Sequence, residues 1–218
     1  MTDLWRNGVM LGLCLILAGW ASFSVAQAKI PGLTAPSEFF TESTHQQLVM
    51  INKSWDQARH LPGVMTGPKR GPVIMVFFDP NCPFCARLWK RIHEKYANLI
   101  VKWIPVAFVH STSLGMAARI LSTKDPQKAL AFNEDHYHFT TERGGLLPLY
   151  PIPPKLAAAI KHNTRFWRKR FGVTPTILYP LSRSDAWVFL ARPSHRALER
   201  IYNYALSFYK KRNTHDKN

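Results

Sequence analysis

The sequence predicts an α/β fold, and three observations support that prediction. Val73–Phe78 is a continuous apolar run of the kind expected for a strand buried on both faces. A helical pattern follows it, and a second buried strand is indicated at Leu99–Phe108, so the order strand, helix, strand forms a βαβ unit. Hydrophobic residues make up 46% of the chain and charged residues 19%, which allows a buried core and excludes wholesale disorder.

Residues 1–28 have the features of a signal peptide. Arg6 precedes an apolar stretch that starts at Val9 and is too short and too glycine-interrupted for a comfortable membrane span. The stretch is followed by Ala26-Gln27-Ala28, the small-x-small pattern that signal peptidase cuts. An uncleaved N-terminal anchor is the alternative. We therefore expect an exported, periplasmic protein whose remaining part, about 190 residues, forms one ordinary domain with a modest appendage.

The appendage is expected at residues 29–71. Residues 38–60 are mostly polar and carry apolar side chains at roughly helical spacing, which predicts one amphipathic helix. Prolines and glycines then cluster twice and break regular structure. We therefore interpret residues 61–72 as a linker or loop that leads into the main domain.

The rest of the chain is assigned from helix and strand signals in order. Pro83 starts the helix of the βαβ unit, which ends near Tyr96, because the first turn of a helix tolerates a residue without an N–H group. A stretch of helical patterns without strand signals follows. We expect helices at 114–122, 125–138 and 153–170, strands at 176–179 and 186–190, a last helix at 194–210 and a frayed tail at 212–218.

A Cys-Pro-Phe-Cys motif lies where the first strand meets the following helix. Cys14 lies in the signal peptide, so the exported chain keeps only Cys82 and Cys85. A disulfide between them closes a very short loop, whereas a structural disulfide gains its stabilisation from closing a long one. Free N–H groups and the dipole of a helix N-terminus lower the pKa of a thiol. We therefore expect Cys82 to be an exposed nucleophile and Cys85 a shielded, resolving thiol.

Zinc binding and a purely structural disulfide are the alternatives for this motif. Zinc needs four ligands, and the nearest histidines, His93 and His110, lack a second Cys-x-x-C or a close histidine partner. The motif therefore favours redox chemistry without a metal.

Two further features are a proline at the start of a later strand and an aspartate beside the motif. Gly172-Val173-Thr174-Pro175-Thr176 places a proline at the entry to a strand, which indicates either a tight turn with a cis bond or an ordinary strand-start proline. Asp79 ends the first strand beside the cysteines. A buried carboxylate there would assist proton transfer to Cys85, although aspartate is also a common strand-ending residue.

The two motifs together resemble the DsbC/DsbG branch of the thioredoxin-fold thiol-disulfide proteins. Asp79–Cys85 follows an apolar strand, and Gly172–Thr176 comes about ninety residues later, in the order that this branch shows. The resemblance covers roughly residues 72–209. It implies a thioredoxin-like domain over 72–211 with a helical insertion at about 111–171, preceded by the short N-terminal helix.

The resemblance also implies roles for individual residues. Cys82 and Cys85 would form the redox-active disulfide, and Pro175 would be the cis-proline that faces it. Thr174 would present its backbone to a substrate strand beside Cys82. No cofactor is expected, because the two sulfur atoms themselves carry the electrons of disulfide exchange.

The implied function is that of a protein disulfide isomerase or reductase, a thiol-disulfide oxidoreductase acting on the disulfides of exported proteins. A membrane redox partner, a reductase of the DsbD type, is implied with it. Isomerases of this branch carry an N-terminal dimerisation domain, and residues 29–81 are too few to supply one. We therefore expect a monomer.

The formal net charge of +16 brings other functions into consideration. Export and the lack of a nucleic-acid-binding motif argue against nucleic acid as a partner. A disulfide-donating oxidase remains an alternative, as does a thioredoxin-scaffold binding or assembly factor of a secretion or conjugation apparatus. The cluster Arg165, Arg168, Lys169 and Arg170, together with Lys210-Lys211-Arg212, would contact anionic membrane headgroups or acidic clients, or it is a solvated helix face.

Overall fold

The computed structural model describes residues 44–181, 186–190 and 193–215. The predicted signal peptide, Cys14 and the first part of the appendage lie outside these residues. No helix in the described part of the chain combines the length and the apolar character needed to cross a membrane.

Six helices and five strands follow one another along the described residues. They are α1 (Thr44–Ala58), β1 (Val64–Thr66), β2 (Val73–Phe78), α2 (Pro83–Lys95), β3 (Ile100–Pro105), α3 (Ser113–Ser122), α4 (Pro126–Asp135), α5 (Pro154–Arg170), β4 (Thr176–Pro180), β5 (Ala186–Leu190) and α6 (His195–His215). The predicted α/β class is confirmed, and three helices, α3 to α5, separate β3 from β4.

The five strands form one sheet in the order β1-β3-β2-β4-β5. β2 and β3 are parallel, with Val76 opposite Trp103, as the βαβ unit predicts. β4 pairs antiparallel with β2 on its other side and places Thr176 opposite Phe77. The carboxyl end of β2 therefore lies beside the start of β4, although the two are about a hundred residues apart in the sequence.

The sheet is covered on both faces, which explains the uninterrupted apolar character of β2. Met75 and Phe77 lie in a buried cluster with residues of α1 and α5, and the Phe77 and Phe166 rings stack at 5.7 Å. Phe78 points to the other face, where its ring meets Trp103 edge-on at 5.7 Å. Trp89 of α2 packs against Trp103 at 5.3 Å. Each such fully buried large side chain contributes about 1.5–3 kcal/mol.

The expectation of a loop over residues 61–72 is wrong in part. Val64–Thr66 form β1, an edge strand that pairs antiparallel with β3. Three residues are too few to show a period-two pattern, and glycines flank them. Gly67 is required there: its φ is +97°, and a Cβ atom would lie 2.2 Å from the carbonyl oxygen of Leu99.

Two helix ends also differ from the predictions. α6 continues to His215, so residues 212–215 are helical and not a frayed tail. α4 ends at Asp135, three residues before the predicted end at 138. The chain turns after Asp135 because the Tyr137 side chain packs inward and donates a hydrogen bond to the carbonyl oxygen of Asn81 at 2.7 Å.

Candidate active site

The Cys-Pro-Phe-Cys motif spans the start of α2. Cys82 is the N-cap residue, with φ −88° and ψ 117°, and Pro83 opens the first turn. The N–H group of Cys82 donates to the carbonyl oxygen of Asp79 at 2.9 Å, and the N–H group of Cys85 donates to the carbonyl oxygen of Cys82 at 3.0 Å. Both cysteines are free thiols in this structure. The Cys82 sulfur therefore lies at the positive end of the helix dipole.

The second motif meets the first across the sheet. The sulfur of Cys82 lies 3.7 Å from the carbonyl oxygen of Thr174. The Thr174–Pro175 peptide bond is cis. The pairing of β4 with β2 brings this loop to the end of β2, so the sheet topology brings the two motifs together.

The surroundings of the two thiols shift their pKa values in opposite directions. The Cys85 side chain, the Thr174 side chain and the backbone N–H groups of Phe84 and Cys85 hydrogen-bond to Cys82, and they lower its pKa to about 7 despite its burial. Complete burial, together with the neighbouring Cys82 and Glu134, raises the pKa of Cys85 well above its usual range. Cys82 is therefore the thiol that ionises first and the better nucleophile near neutral pH.

The expectation that Cys82 is exposed is wrong, although Cys82 is more exposed than Cys85, as expected. Cys82 is 4% exposed and Cys85 is fully buried. The carbonyl oxygen of Thr174 lies against the Cys82 sulfur on one side. Only a small part of Cys82 is therefore accessible to a second sulfur atom.

Asp79 is fully buried, and hydrogen bonds to other parts of the chain occupy its carboxylate. One oxygen accepts from the hydroxyl of Ser113 at 2.7 Å and from the N–H group of Asn81 at 2.9 Å. The other accepts from the N–H groups of Phe108 and Val109 at 2.7 and 3.0 Å. Burial raises the pKa of Asp79, and these donors oppose that rise. The carboxylate thus ties the chain after β3 to the end of β2, and its role in proton transfer stays a prediction.

Sequence reasoning missed a group of polar residues that the inserted helices bring to the site. Glu134, on α4, is 4% exposed. Asn133 donates through Nδ2 to Glu134 Oε1 and to the carbonyl oxygen of Pro80, both at 3.0 Å. Leu130, Asn133 and Glu134 lie on one helix face. The sequence signal for buried polar residues was therefore the helical spacing of two polar side chains from an apolar one. Burial is the main reason why the pKa of Glu134 is raised well above its usual range.

Asn81, directly before Cys82, connects the active-site turn to the insertion. Its side-chain Nδ2 donates to Ser113 Oγ at 3.0 Å, and its Oδ1 accepts from the N–H group of Gly144 at 3.2 Å. Its carbonyl oxygen accepts from the Tyr137 hydroxyl at 2.7 Å. The insertion therefore fixes the backbone that precedes the nucleophile.

Exposed aromatic side chains adjoin the motif. Phe84 is 39% exposed and Phe139 is 50% exposed. The Arg87 guanidinium lies between them, 5.6 Å from the centre of the Phe84 ring and 4.8 Å from that of Phe139. Apolar surface next to a reactive thiol is suited to holding an unfolded polypeptide segment.

The described residues contain no group of three or more His, Cys, Asp or Glu side chains placed to hold a metal ion. His93, one of the two histidines considered for zinc, turns its Nδ1 to the carbonyl oxygen of Trp89 at 2.9 Å.

Comparison with known proteins gives two curated relatives, both named thiol:disulfide interchange protein DsbG. The one from Pseudomonas aeruginosa is 27% identical over 134 residues, 60% of this chain and 51% of the relative. The one from Escherichia coli is 31% identical over 77 residues, 34% of this chain and 31% of the relative. The chain thus spans about half the length of the first relative and less of the second. No family model matches the chain.

Solved structures share the fold at lower identity. A periplasmic thioredoxin-like protein from Salmonella enterica is 22% identical with a TM-score of 0.53, covering 72% of this chain and 97% of that one. ScsC from Proteus mirabilis, in a transitional conformation, is 18% identical with a TM-score of 0.56, covering 76% of this chain and 82% of its own. The predicted thioredoxin-like fold is confirmed, and so is the resemblance to thiol-disulfide interchange proteins of the DsbG type.

Proposed function

We propose that this protein is an exported thiol-disulfide oxidoreductase that acts on protein disulfides through Cys82 and Cys85, as an isomerase or reductase. One observation carries the proposal. The sulfur of Cys82 lies at the N-terminus of α2 and 3.7 Å from the carbonyl oxygen of Thr174, beside a cis Thr174–Pro175 bond. The opposite pKa shifts of Cys82 and Cys85 give the two thiols separate roles.

The chemistry consists of two thiol-disulfide exchanges. The Cys82 thiolate attacks a client disulfide, forming a mixed disulfide and releasing one client sulfur as a thiolate. Cys85 then loses its proton and attacks the Cys82 sulfur, which forms the Cys82–Cys85 disulfide and releases the second client sulfur. The client gains two electrons and the protein loses two. A pKa of about 7 leaves roughly half of Cys82 ionised at neutral pH, so the first step needs no additional base.

The pKa of Cys82 favours the reducing direction over the donation of disulfides. Stabilising the thiolate stabilises the dithiol form and makes the disulfide more oxidising. A value of about 7 is similar to that of thioredoxin, at about 7, and far above that of the strong oxidant DsbA, at about 3.5. A disulfide-donating oxidase is therefore the less favoured alternative.

The substrates in this proposal are exported proteins with disulfides. A client segment would lie along the Thr174 loop, with its cysteine against the small accessible part of Cys82 and its apolar side chains against Phe84 and Phe139. A membrane reductase of the DsbD type would return the protein to the dithiol state in the periplasm. The protein would act as a monomer, without nucleic acid or a cofactor.

A binding or assembly factor is the second candidate, and one cavity favours it. The cavity lies between α1 and α5 and has a volume of about 610 Å³. Its lining includes Arg165, Lys169 and Arg170 together with His60 and His162, and no acidic side chain of the described residues lines it. Such a surface attracts an acidic partner.

Reduction of insulin disulfides by the purified protein, with glutathione as electron source, tests the proposal. The wild-type protein should accelerate the reaction, and Cys82→Ser should abolish the acceleration. If deletion of the gene causes a phenotype and the Cys82→Ser variant fully restores the wild-type behaviour, the result would instead support the binding factor.

The redox state of the pair in cells decides the direction. Acid quenching followed by an alkylation shift should find Cys82 and Cys85 mostly reduced in an isomerase or reductase. A mostly oxidised pair would support the oxidase.

A further inference from the structure

Glu134 carries a carboxylate oxygen that the hydrogen-bonding network leaves unused. Its Oε1 accepts from Asn133, whereas its Oε2 is fully buried and has no hydrogen-bond partner. Buried polar atoms without a partner are uncommon in native proteins, and each one calls for an explanation, of which a catalytic role is one. This oxygen therefore marks a group that is able to take up or give up a proton.

The groups that face Glu134 include the redox thiols. α4, which carries Glu134, packs against α2, which carries the cysteines. The charge of Glu134 raises the pKa of Cys85, and the charges of Cys82, Asp79 and Asp135 raise the pKa of Glu134. Tyr137 is a further acidic neighbour of Glu134, since the charges of Glu134 and of both cysteines raise the pKa of Tyr137. All of these neighbours are acids, so the ionisation of one makes the ionisation of the others less favourable.

We propose that Glu134 is the proton acceptor for Cys85 in the resolving step, and the proton donor to Cys85 in the reverse step. The inference rests on the proposed function and assigns one of its proton transfers. When Cys85 attacks the Cys82 sulfur of a mixed disulfide, its S–H proton passes to Glu134. The Cys82–Cys85 bond forms, and the client sulfur leaves as a thiolate, so the proton and the electrons are both accounted for.

The coupling between Glu134 and Cys82 sets the timing. In the dithiol form, the Cys82 thiolate raises the pKa of Glu134 and helps to keep that carboxyl protonated. In the mixed disulfide, Cys82 carries no charge, so this part of the rise disappears. A larger fraction of Glu134 is therefore ionised, and able to accept a proton, at the stage at which Cys85 must lose its proton.

Asp79 is less suited to this role. Its two oxygens already accept four hydrogen bonds, from Asn81, Ser113, Phe108 and Val109. The unpaired oxygen of Glu134 can receive a proton without breaking a hydrogen bond of that oxygen, and the Asn133 bond to the other oxygen keeps the side chain in place.

Release of glutathione from Cys82 tests the inference. The mixed disulfide is formed with oxidised glutathione, and the rate at which Cys85 releases the glutathione is measured from pH 5 to pH 9. Glu134→Gln keeps the size of the side chain and its acceptor oxygen for Asn133. We expect the release to slow about 10²-fold near pH 7, as for loss of a general base, with loss of the pH dependence that the carboxyl causes. Glu94→Gln, an exposed glutamate of α2, is the matched control and should release glutathione at the wild-type rate.

The outcomes separate the inference from the proposed function. Wild-type protein that forms no glutathione adduct, or never releases it, would overturn the proposed function. Wild-type protein that releases glutathione, with Glu134→Gln releasing it at the same rate and the same pH dependence, would overturn only the role of Glu134.

A second measurement serves if Glu134→Gln does not fold. Wild-type protein labelled with ¹³C at the glutamate side-chain carboxyl is titrated by NMR, as the dithiol and after S-methylation of Cys82, which gives an uncharged thioether that Cys85 cannot displace. We expect the buried carboxyl to titrate at a lower pH after S-methylation. An identical titration in both states would contradict the proposed timing and role.

Discussion

The β2–α2 junction and the inserted helix α4 serve the same two thiols in different ways. The junction is continuous in sequence, and it places Cys82 at a helix N-terminus, where backbone N–H groups help to lower its pKa to about 7. α4 lies about fifty residues further along the chain and supplies Glu134, which helps to raise the pKa of Cys85. The comparison teaches that the junction supplies most of the groups that lower the pKa of Cys82, with Thr174 added by the sheet, whereas the inserted helix adds a charge that acts on the resolving thiol.

The largest expected effect is the difference between the serine variants of the two cysteines. Cys85→Ser should attack a client disulfide through Cys82 and then stop, because the resolving thiol is missing. Cys82→Ser should form no adduct, because the pKa of Cys85 is too high and its side chain is fully buried. Non-reducing gels after incubation with oxidised insulin measure the adduct. An adduct of equal yield in both variants would show that the two thiols are equivalent.

The next effect concerns the carboxylate that joins the insertion to the sheet. Asp79→Ala removes the acceptor for three backbone N–H groups and the Ser113 hydroxyl, and unpaired buried donors are costly. We expect the free energy of unfolding in urea to fall by about 3 kcal/mol. Asp56→Ala, at an exposed ion pair, is the control and should leave the urea midpoint unchanged. A loss as small as that of the control would mean that Asp79 does not connect the two regions.

A pH-dependent effect follows from Glu134. Its pKa in the folded protein is raised above the unfolded value of about 4.3, so its contribution to stability is complete below that pH. The contribution is lost as the pH rises through the folded pKa. Glu134→Gln should therefore gain stability relative to wild type between pH 4.5 and 6.5, as followed by thermal melting. The window ends below the range in which Cys82 titrates. A constant difference between the two proteins across this window would be inconsistent with a protonated Glu134.

The smallest effect tests one contact between the insertion and the active-site turn. Tyr137→Phe removes the hydrogen bond from the tyrosine hydroxyl to the carbonyl oxygen of Asn81, at 2.7 Å. We expect a loss of about 1 kcal/mol in the free energy of unfolding. Tyr150→Phe, at a tyrosine that is 61% exposed, is the matched control. Equal stability of the two variants would show that this hydrogen bond does not stabilise the fold.

The same contrast explains how much the sequence alone could predict. β2, α2 and the Cys-Pro-Phe-Cys motif were predictable because their signals are continuous: an apolar run, a proline in the first helical turn and two cysteines. β1 was missed because three residues between glycines show no period. Glu134 was missed because a glutamate on a helix is normally exposed. Its burial depends on the packing of α4 against α2, which the sequence pattern does not show.

The pH dependence of thiol alkylation tests the central claim, the difference between the two cysteines, most directly. The reduced protein is treated briefly with iodoacetamide at a series of pH values, and mass spectrometry of the peptides measures the modification of Cys82 and Cys85 separately. We predict that Cys82 reacts with a midpoint at about pH 7, while Cys85 stays unreactive throughout the neutral range. Equal reaction of both thiols, with a midpoint near the value of about 8.5 for a free cysteine, would contradict the account.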